Sequence, residues 1–85
     1  MYHVYVLKSV QHERLYIGTS EDPKRRLEEH NAGKTVSTKP FIPYVLIYSE
    51  SYQEKQQALI REKQIKRSGK IRKLLKENAY NGPIV

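Results

Sequence analysis

The stretch RLYIGTSEDPKRRLEEH, Arg14 to His30, decides the fold. It starts as a strand at Leu15-Tyr16-Ile17, ends that strand at Gly18, and restarts as a helix behind Asp22-Pro23. An Asp side chain accepts a bond from a free backbone N–H, and Pro fits the first helical turn without loss. Asn31-Ala32-Gly33 then supplies a C-terminal stop near His30. Helical spacing puts Pro23, Arg26, Leu27 and His30 on one face. Leu27 is the strongly apolar residue of that face and must point inward. Arg26 and His30 are therefore expected at the rim of the core.

Working outward, Tyr2 to Leu7 is β-branched and aromatic, as a strand requires. Polar residues 9–14 make a hairpin loop to the Leu15–Ile17 strand, so Tyr5 and Tyr16 could share a face. Lys34 to Pro43 reads as a loop, and Tyr44 to Tyr48 as a third strand. Ser51-x-x-Glu54 has the form of a capping box opening a helix to about Arg67. Ser68-Gly69 breaks it, and Lys70 to Asn78 forms a last, basic helix with Ile71, Leu74 and Leu75 as its buried edge. Tyr80 to Val85 reads as an irregular tail. The order β-β-α-β-α-α predicts an α+β fold: a small three-stranded, mostly antiparallel sheet flanked by helices.

Eighty-five residues make one domain, residues 1–85, with a core at about 2–67 and the basic helix at about 70–78. The chain has no cysteine, which excludes disulfides and Cys-based zinc sites and fits the cytoplasm. No apolar run approaches a membrane span or a secretory signal. Net charge is +7 and is unevenly placed. Residues 1–60 hold eight Lys/Arg against seven Asp/Glu, whereas residues 61–85 hold eight against Glu62 and Glu77. Such a basic end suits a polyanion, most often nucleic acid, or else a solvated face that aids solubility.

One further residue breaks the apolar pattern. In the second helix Ala58, Leu59, Glu62 and Ile65 fall on one stripe, with Glu62 where Leu would be expected. A half-buried carboxylate is costly unless paired or bound to metal. Each misplaced group has an ordinary alternative. Arg26 could pair with Glu29, Glu62 could reach outward among Arg61, Lys63 and Lys66, and His30 could be a helix-end cation.

His3-Val4-Tyr5, then Tyr16-Ile17-Gly18, Asp22-Pro23-Lys24-Arg25-Arg26-Leu27 and His30 together resemble the GIY-YIG nuclease domain. The Pro43–Tyr48 strand and Ala58–Lys66 extend the match to roughly residues 2–75, closest to the short stand-alone bacterial members. The resemblance implies a metal-dependent endonuclease that hydrolyses DNA phosphodiester bonds, in the setting of repair or recombination. It implies Tyr5 and Tyr16 as the motif tyrosines, Arg26 as the helix arginine, His30 at a His-or-Tyr position, and Glu62 as ligand to one Mg²⁺ or Mn²⁺. Tyr5 is favoured as general base with Tyr16 orienting water or phosphate, and the reverse assignment stays open. Arg26 and the ion are expected to lower the base's pKa. His30 would relay a proton or bind phosphate. Lys24, Arg25, Lys39, Lys63, Lys66, Lys70, Arg72 and Lys73 would contact the DNA backbone. The first motif lacks its glycine, and Thr19 stands where some members have lysine, a task left to Lys24 or Lys39. Family enzymes usually take specificity from an extra domain, and none is expected in these 85 residues, so the substrate could be any flexible or branched DNA, or a protein partner could supply selectivity. The rival reading is a basic nucleic-acid-binding module on the same fold, without turnover.

Overall fold

The computed structural model describes residues 1–77. Strand β1 (Tyr2–Ser9) and strand β2 (Leu15–Ser20) form an antiparallel hairpin, followed by helix α1 (Pro23–Asn31). A 3₁₀ turn at Lys39–Phe41 leads into strand β3 (Tyr44–Tyr52), then helices α2 (Lys55–Arg67) and α3 (Gly69–Lys76). The strand order is β2-β1-β3, all antiparallel, so β1 is central and β2 is an edge.

A central strand covered on both faces should be apolar without alternation, and Val4, Tyr5, Val6 and Leu7 are all buried. Alternate residues build two separate cores. Tyr5 and Leu7 join Tyr44, Tyr16, Leu27, Phe41, Ile42 and Leu46 on the α1 face. Val4 and Val6 join Ile17, Ala58, Ile65, Ile71 and Leu75 on the α2–α3 face. The fully buried residues of the second core are all aliphatic, whereas those of the first are Tyr5, Leu7 and Tyr44.

Helix α1 starts where the sequence predicts, with the Asp22 carboxylate accepting from the Arg25 N–H at 3.2 Å. It ends with Gly33 at φ +77°, the left-handed conformation that favours glycine. Asn31 ties this end to β3. Its side chain accepts from Tyr44 N at 2.7 Å and donates to Tyr44 O at 3.0 Å.

Four expectations are corrected. Strand β3 continues to Tyr52, because β1 offers it partners as far as Tyr2. Ser51 therefore lies in the sheet, its Oγ 2.9 Å from His3 Nδ1, and the capping box does not form. Glu54 flanks α2 without a side-chain cap bond. Leu59 is 41% exposed, since Ala58, Arg61 and Ile65 are the residues that α2 turns inward, with Glu62 at their border. Helix α3 begins at Gly69, one residue before the expected start. Ser68, expected as a breaker, caps it by accepting from Ile71 N at 3.1 Å. Ile71 and Leu75 are buried and Leu74 is half-buried. Asn78 and the tail lie outside the described residues.

Candidate active site

The hairpin register creates the first half of the site. Tyr5 pairs with Gly18 and Leu7 with Tyr16, so both tyrosine side chains leave the sheet on the α1 face. Their ring centroids are 6.1 Å apart. Gly18 is needed for this arrangement. A Cβ there would stand 2.8 Å from the Tyr5 hydroxyl and 3.0 Å from the Tyr16 ring. The missing side chain lets the Tyr5 ring lie across the β2 backbone.

Helix α1 adds the second half. The Arg26 guanidinium donates to Glu29 and acts electrostatically on the Tyr5 phenol. Those interactions, Tyr5 first, raise the Arg26 pKa further and fix it as a cation. Glu29 is held below the usual carboxylate range, chiefly by Arg26 and also by Arg25. Thus the ordinary pairing of Arg26 with Glu29 exists alongside its action on the tyrosine.

Arg26 pulls the Tyr5 pKa down as expected, but alone it does not prevail. The Tyr5 pKa is raised, because burial outweighs the Arg26 interaction that favours phenolate. The neighbouring Tyr16 also disfavours the Tyr5 phenolate. In this state Tyr5 is a phenol, 1% exposed, set between the guanidinium and the second tyrosine.

His30 is not at the rim but fully inside, with 0% exposure. Its ring lies 4.3 Å from that of Tyr16 and 6.5 Å from that of Tyr44. Burial, then the Arg26 charge, pushes its pKa down. The neutral imidazole is favoured.

Glu62 comes from the other face of the sheet. Its Oε1 accepts from Thr19 Oγ1 at 2.6 Å, and its Oε2 pairs with Lys66 Nζ at 2.9 Å. Thr19 follows Gly18 on the edge strand, so Glu62 is moored one residue from the glycine that Tyr5 covers. Tyr5, Tyr16 and His30 are brought together on the α1 face with Arg26 on the neighbouring helix, whereas Glu62 lies across the sheet, bound to Thr19 on the β2 edge. The mooring depends on the pitch of α2, which Arg61 sets. Arg61 Nε and NH2 donate to Glu50 at 2.9 and 3.1 Å, and the Tyr48 and Tyr52 hydroxyls donate to the same carboxylate.

Among the described residues no three His, Cys, Asp or Glu side chains converge on a metal-sized space. The single carboxylate of Glu62, with a side chain 17% exposed, still suits a hard divalent ion. Mg²⁺ in particular keeps most of its waters and takes one or two carboxylates plus substrate phosphate oxygens.

The cationic side chains fall into two sets. Lys24, Arg25 and Lys39 are exposed on α1 and the 3₁₀ turn, on the tyrosine side. Lys63, Lys66, Lys70, Arg72 and Lys73 are exposed on α2 and α3. An open pocket of about 420 Å³ at the β2 edge gathers Lys66 and Arg72 with Arg14, Lys76 and Tyr16. Sequence reasoning missed Arg14 and Lys76 there, since pocket membership depends on how α3 docks. It also missed Asn31, Thr38 and Glu50. Glu50 had a legible signal, a carboxylate flanked by Tyr48 and Tyr52 at strand spacing.

The fold and this cluster define a nuclease-type α+β domain, and the comparisons agree. The family model described as the GIY-YIG catalytic domain matches residues 1–78, and the chain belongs to that family. It is similar to a UPF0213 protein of Staphylococcus haemolyticus, 36% identical over 74 residues, covering 86% of this chain and 89% of the relative. A UPF0213 protein of Halobacterium salinarum is also 36% identical over 74 residues, covering 86% of this chain and 95% of the relative. Among solved structures, the solution NMR structure of the UPF0213 protein BH0048 from Bacillus halodurans shares the fold. Its TM-score is 0.54 at 26% identity, with 98% of this chain and 89% of that chain covered. No helix among the described residues is long and apolar enough to cross a membrane.

Proposed function

We propose that this chain is a divalent-metal-dependent endonuclease acting on DNA, in repair or recombination. The observation that carries the reading is the Tyr5 ring laid over Gly18 and beside Tyr16, with the Arg26 cation acting on its phenol. A structural core has no use for a guanidinium acting on a buried phenol, whereas a phosphodiester has use for both.

Hydrolysis requires a water to attack phosphorus while the bond to the leaving oxygen breaks. Arg26 supplies a permanent cation with fork geometry to a non-bridging oxygen. We read Tyr5 as the proton acceptor for the water, because it is the tyrosine that Arg26 acts on. Tyr16, half-buried at the mouth of the basic pocket, orients the water or the phosphate. Glu62 would hold one Mg²⁺ or Mn²⁺. When bound, that ion supplies Lewis-acid stabilisation of the developing charge and leaving oxygen, and favours the Tyr5 phenolate. Lys66 would exchange its bond to Glu62 for a phosphate. The remaining lysines and arginines supply sequence-independent backbone contacts.

The test is cleavage of duplex, nicked, flapped and single-stranded DNA with Mg²⁺ or Mn²⁺. Arg26→Ala and Glu62→Ala should each lose about 10²–10³-fold in rate, as expected for one electrostatic stabiliser. Wild-type rates in Glu62→Ala would remove the proposed metal site.

One observation favours a second reading. Both oxygens of Glu62 already have partners, Thr19 and Lys66, as in a structural carboxylate. A binding module without turnover would retain them. Mn²⁺ binding followed by electron paramagnetic resonance separates the two: the nuclease reading requires binding that Glu62→Ala abolishes.

A further inference from the structure

His30 is buried, and the role given to its position says nothing of which ring nitrogen carries the proton. Its Nδ1 lies 2.9 Å from Thr38 Oγ1, while its Nε2 is buried with no hydrogen-bond partner among the described residues. Thr38 is itself buried, 2% exposed, and its Oγ1 donates to Thr35 O at 3.3 Å.

Two proton arrangements are available, and they are not equal. If the Thr38 hydroxyl donated to Nδ1, it would forgo Thr35 O and leave an Nε2–H buried without an acceptor. If His30 Nδ1–H donates to Thr38 Oγ1, the hydroxyl both accepts and donates, and Nε2 is a bare lone pair. The second arrangement makes one more hydrogen bond. It also leaves an unsatisfied acceptor rather than a donor, and orphaned buried N–H groups are the rarer of the two. The Arg26 cation one turn earlier favours a lone pair over an N–H or an imidazolium. Glu29 opposes that effect from the same helix, while the Tyr16 and Tyr44 rings face the imidazole from the strands.

We propose that Thr38 is a positioning residue that locks His30 as the Nδ1–H tautomer, so that Nε2 stands beside Tyr16 as a ready hydrogen-bond acceptor. The group it takes is an O–H donor, the Tyr16 hydroxyl or a substrate-site water, and not a phosphate oxygen. The segment Thr35–Lys39 thereby becomes part of the site, although it touches no phosphate. Only the catalytic consequence rests on the nuclease reading; the tautomer does not.

The experiment is long-range ¹H–¹⁵N correlation NMR of the histidine rings in the full chain. Wild type should show a protonated Nδ1 and a bare Nε2 for His30. Thr38→Val, which keeps shape and removes the hydroxyl, should shift His30 towards Nε2–H or a mixture. Thr38→Ser should restore the wild-type pattern. A protonated Nε2 in wild type overturns the proposal, as does an unchanged pattern in Thr38→Val; the wild-type spectrum decides alone if that variant does not fold. In cleavage, Thr38→Val should lose about 10–100-fold in kcat, the usual loss for an orienting partner, with recovery in Thr38→Ser. If wild type cuts no DNA while the NMR result holds, the nuclease reading fails and the tautomer stands.

Discussion

The two faces of the sheet use the same strands for opposite ends. Towards α2 and α3, Val4, Val6, Ile17, Ala58, Ile65, Ile71 and Leu75 form an aliphatic core. Towards α1, the buried positions hold Tyr5, Tyr44 and His30 besides Leu7, with Arg26 alongside. The aliphatic face supplies stability and the polar face supplies chemistry. The polar groups of the α2 face are nearly all consumed by one another, since Glu50 collects Arg61, Tyr48 and Tyr52. On the α1 face a nitrogen is left over. A small domain that can bury few residues places unsatisfied groups where a ligand can satisfy them.

The largest predicted effect breaks the aliphatic face. Ile65 is fully buried, and Ile65→Ala should destabilise by roughly 2–5 kcal/mol in chemical denaturation. The Glu50–Arg61 knot comes next. Burial would raise the Glu50 pKa, but Arg61, Tyr48 and Tyr52 together hold it below the usual carboxylate range. Its contribution is therefore present above about pH 4.3 and lost as pH falls through the lower folded value. Glu50→Gln should cost about 2–3 kcal/mol, at the low end for pairs that are not fully buried. It should also change a tyrosine titration. Burial and Glu50 push Tyr52 up to about 12, so one late phenol in the alkaline absorbance curve should move earlier in the variant.

Gly18→Ala tests the polar face. The added methyl would meet the Tyr5 hydroxyl at 2.8 Å, and the ring cannot yield without moving Arg26 and Tyr16. Cleavage should fall about 100-fold, near 2.7 kcal/mol of barrier, for a displacement of that kind. Denaturation midpoints should move far less than in Ile65→Ala. If stability collapses instead, Gly18 serves packing, and the division between the two faces is wrong.

Much of this was legible in the chain because its signals are local. Asp22-Pro23 and Asn31-Ala32-Gly33 bound α1 in sequence as they do in the fold. Helical spacing alone joined Arg26 to His30, and a short hairpin joined Tyr5 to Tyr16. The illegible parts depend on contacts distant in sequence. Ser51 resembled a cap until β1 claimed it as a strand partner. Leu59 looked buried until Glu50 fixed which side of α2 faces the sheet. That Glu62 lies across the sheet from the tyrosines follows from Val4 pairing with Thr19, a register no helical pattern contains. The balance between Arg26 and burial at Tyr5 was hidden for a similar reason. Charge is visible in sequence, but the depth of burial that outweighs it is not.

The smallest effect is also the finest test of the comparison. His30 has its pKa lowered by burial, so above the unfolded value of about 6.5 both states are neutral and its contribution is complete. As pH falls below 6.5 the unfolded chain takes a proton that the folded chain refuses, and stability declines until the folded pKa is reached. The slope is at most about 1.4 kcal/mol per pH unit for one proton. Denaturation between pH 7 and pH 5 should show it, and His30→Gln should flatten it. A ligand that donates a hydrogen bond to Nε2 should carry the decline to lower pH, because it must leave before the nitrogen can be protonated. A slope unchanged in His30→Gln would mean that the imidazole is already wet, and that the α1 face keeps no unsatisfied nitrogen for chemistry.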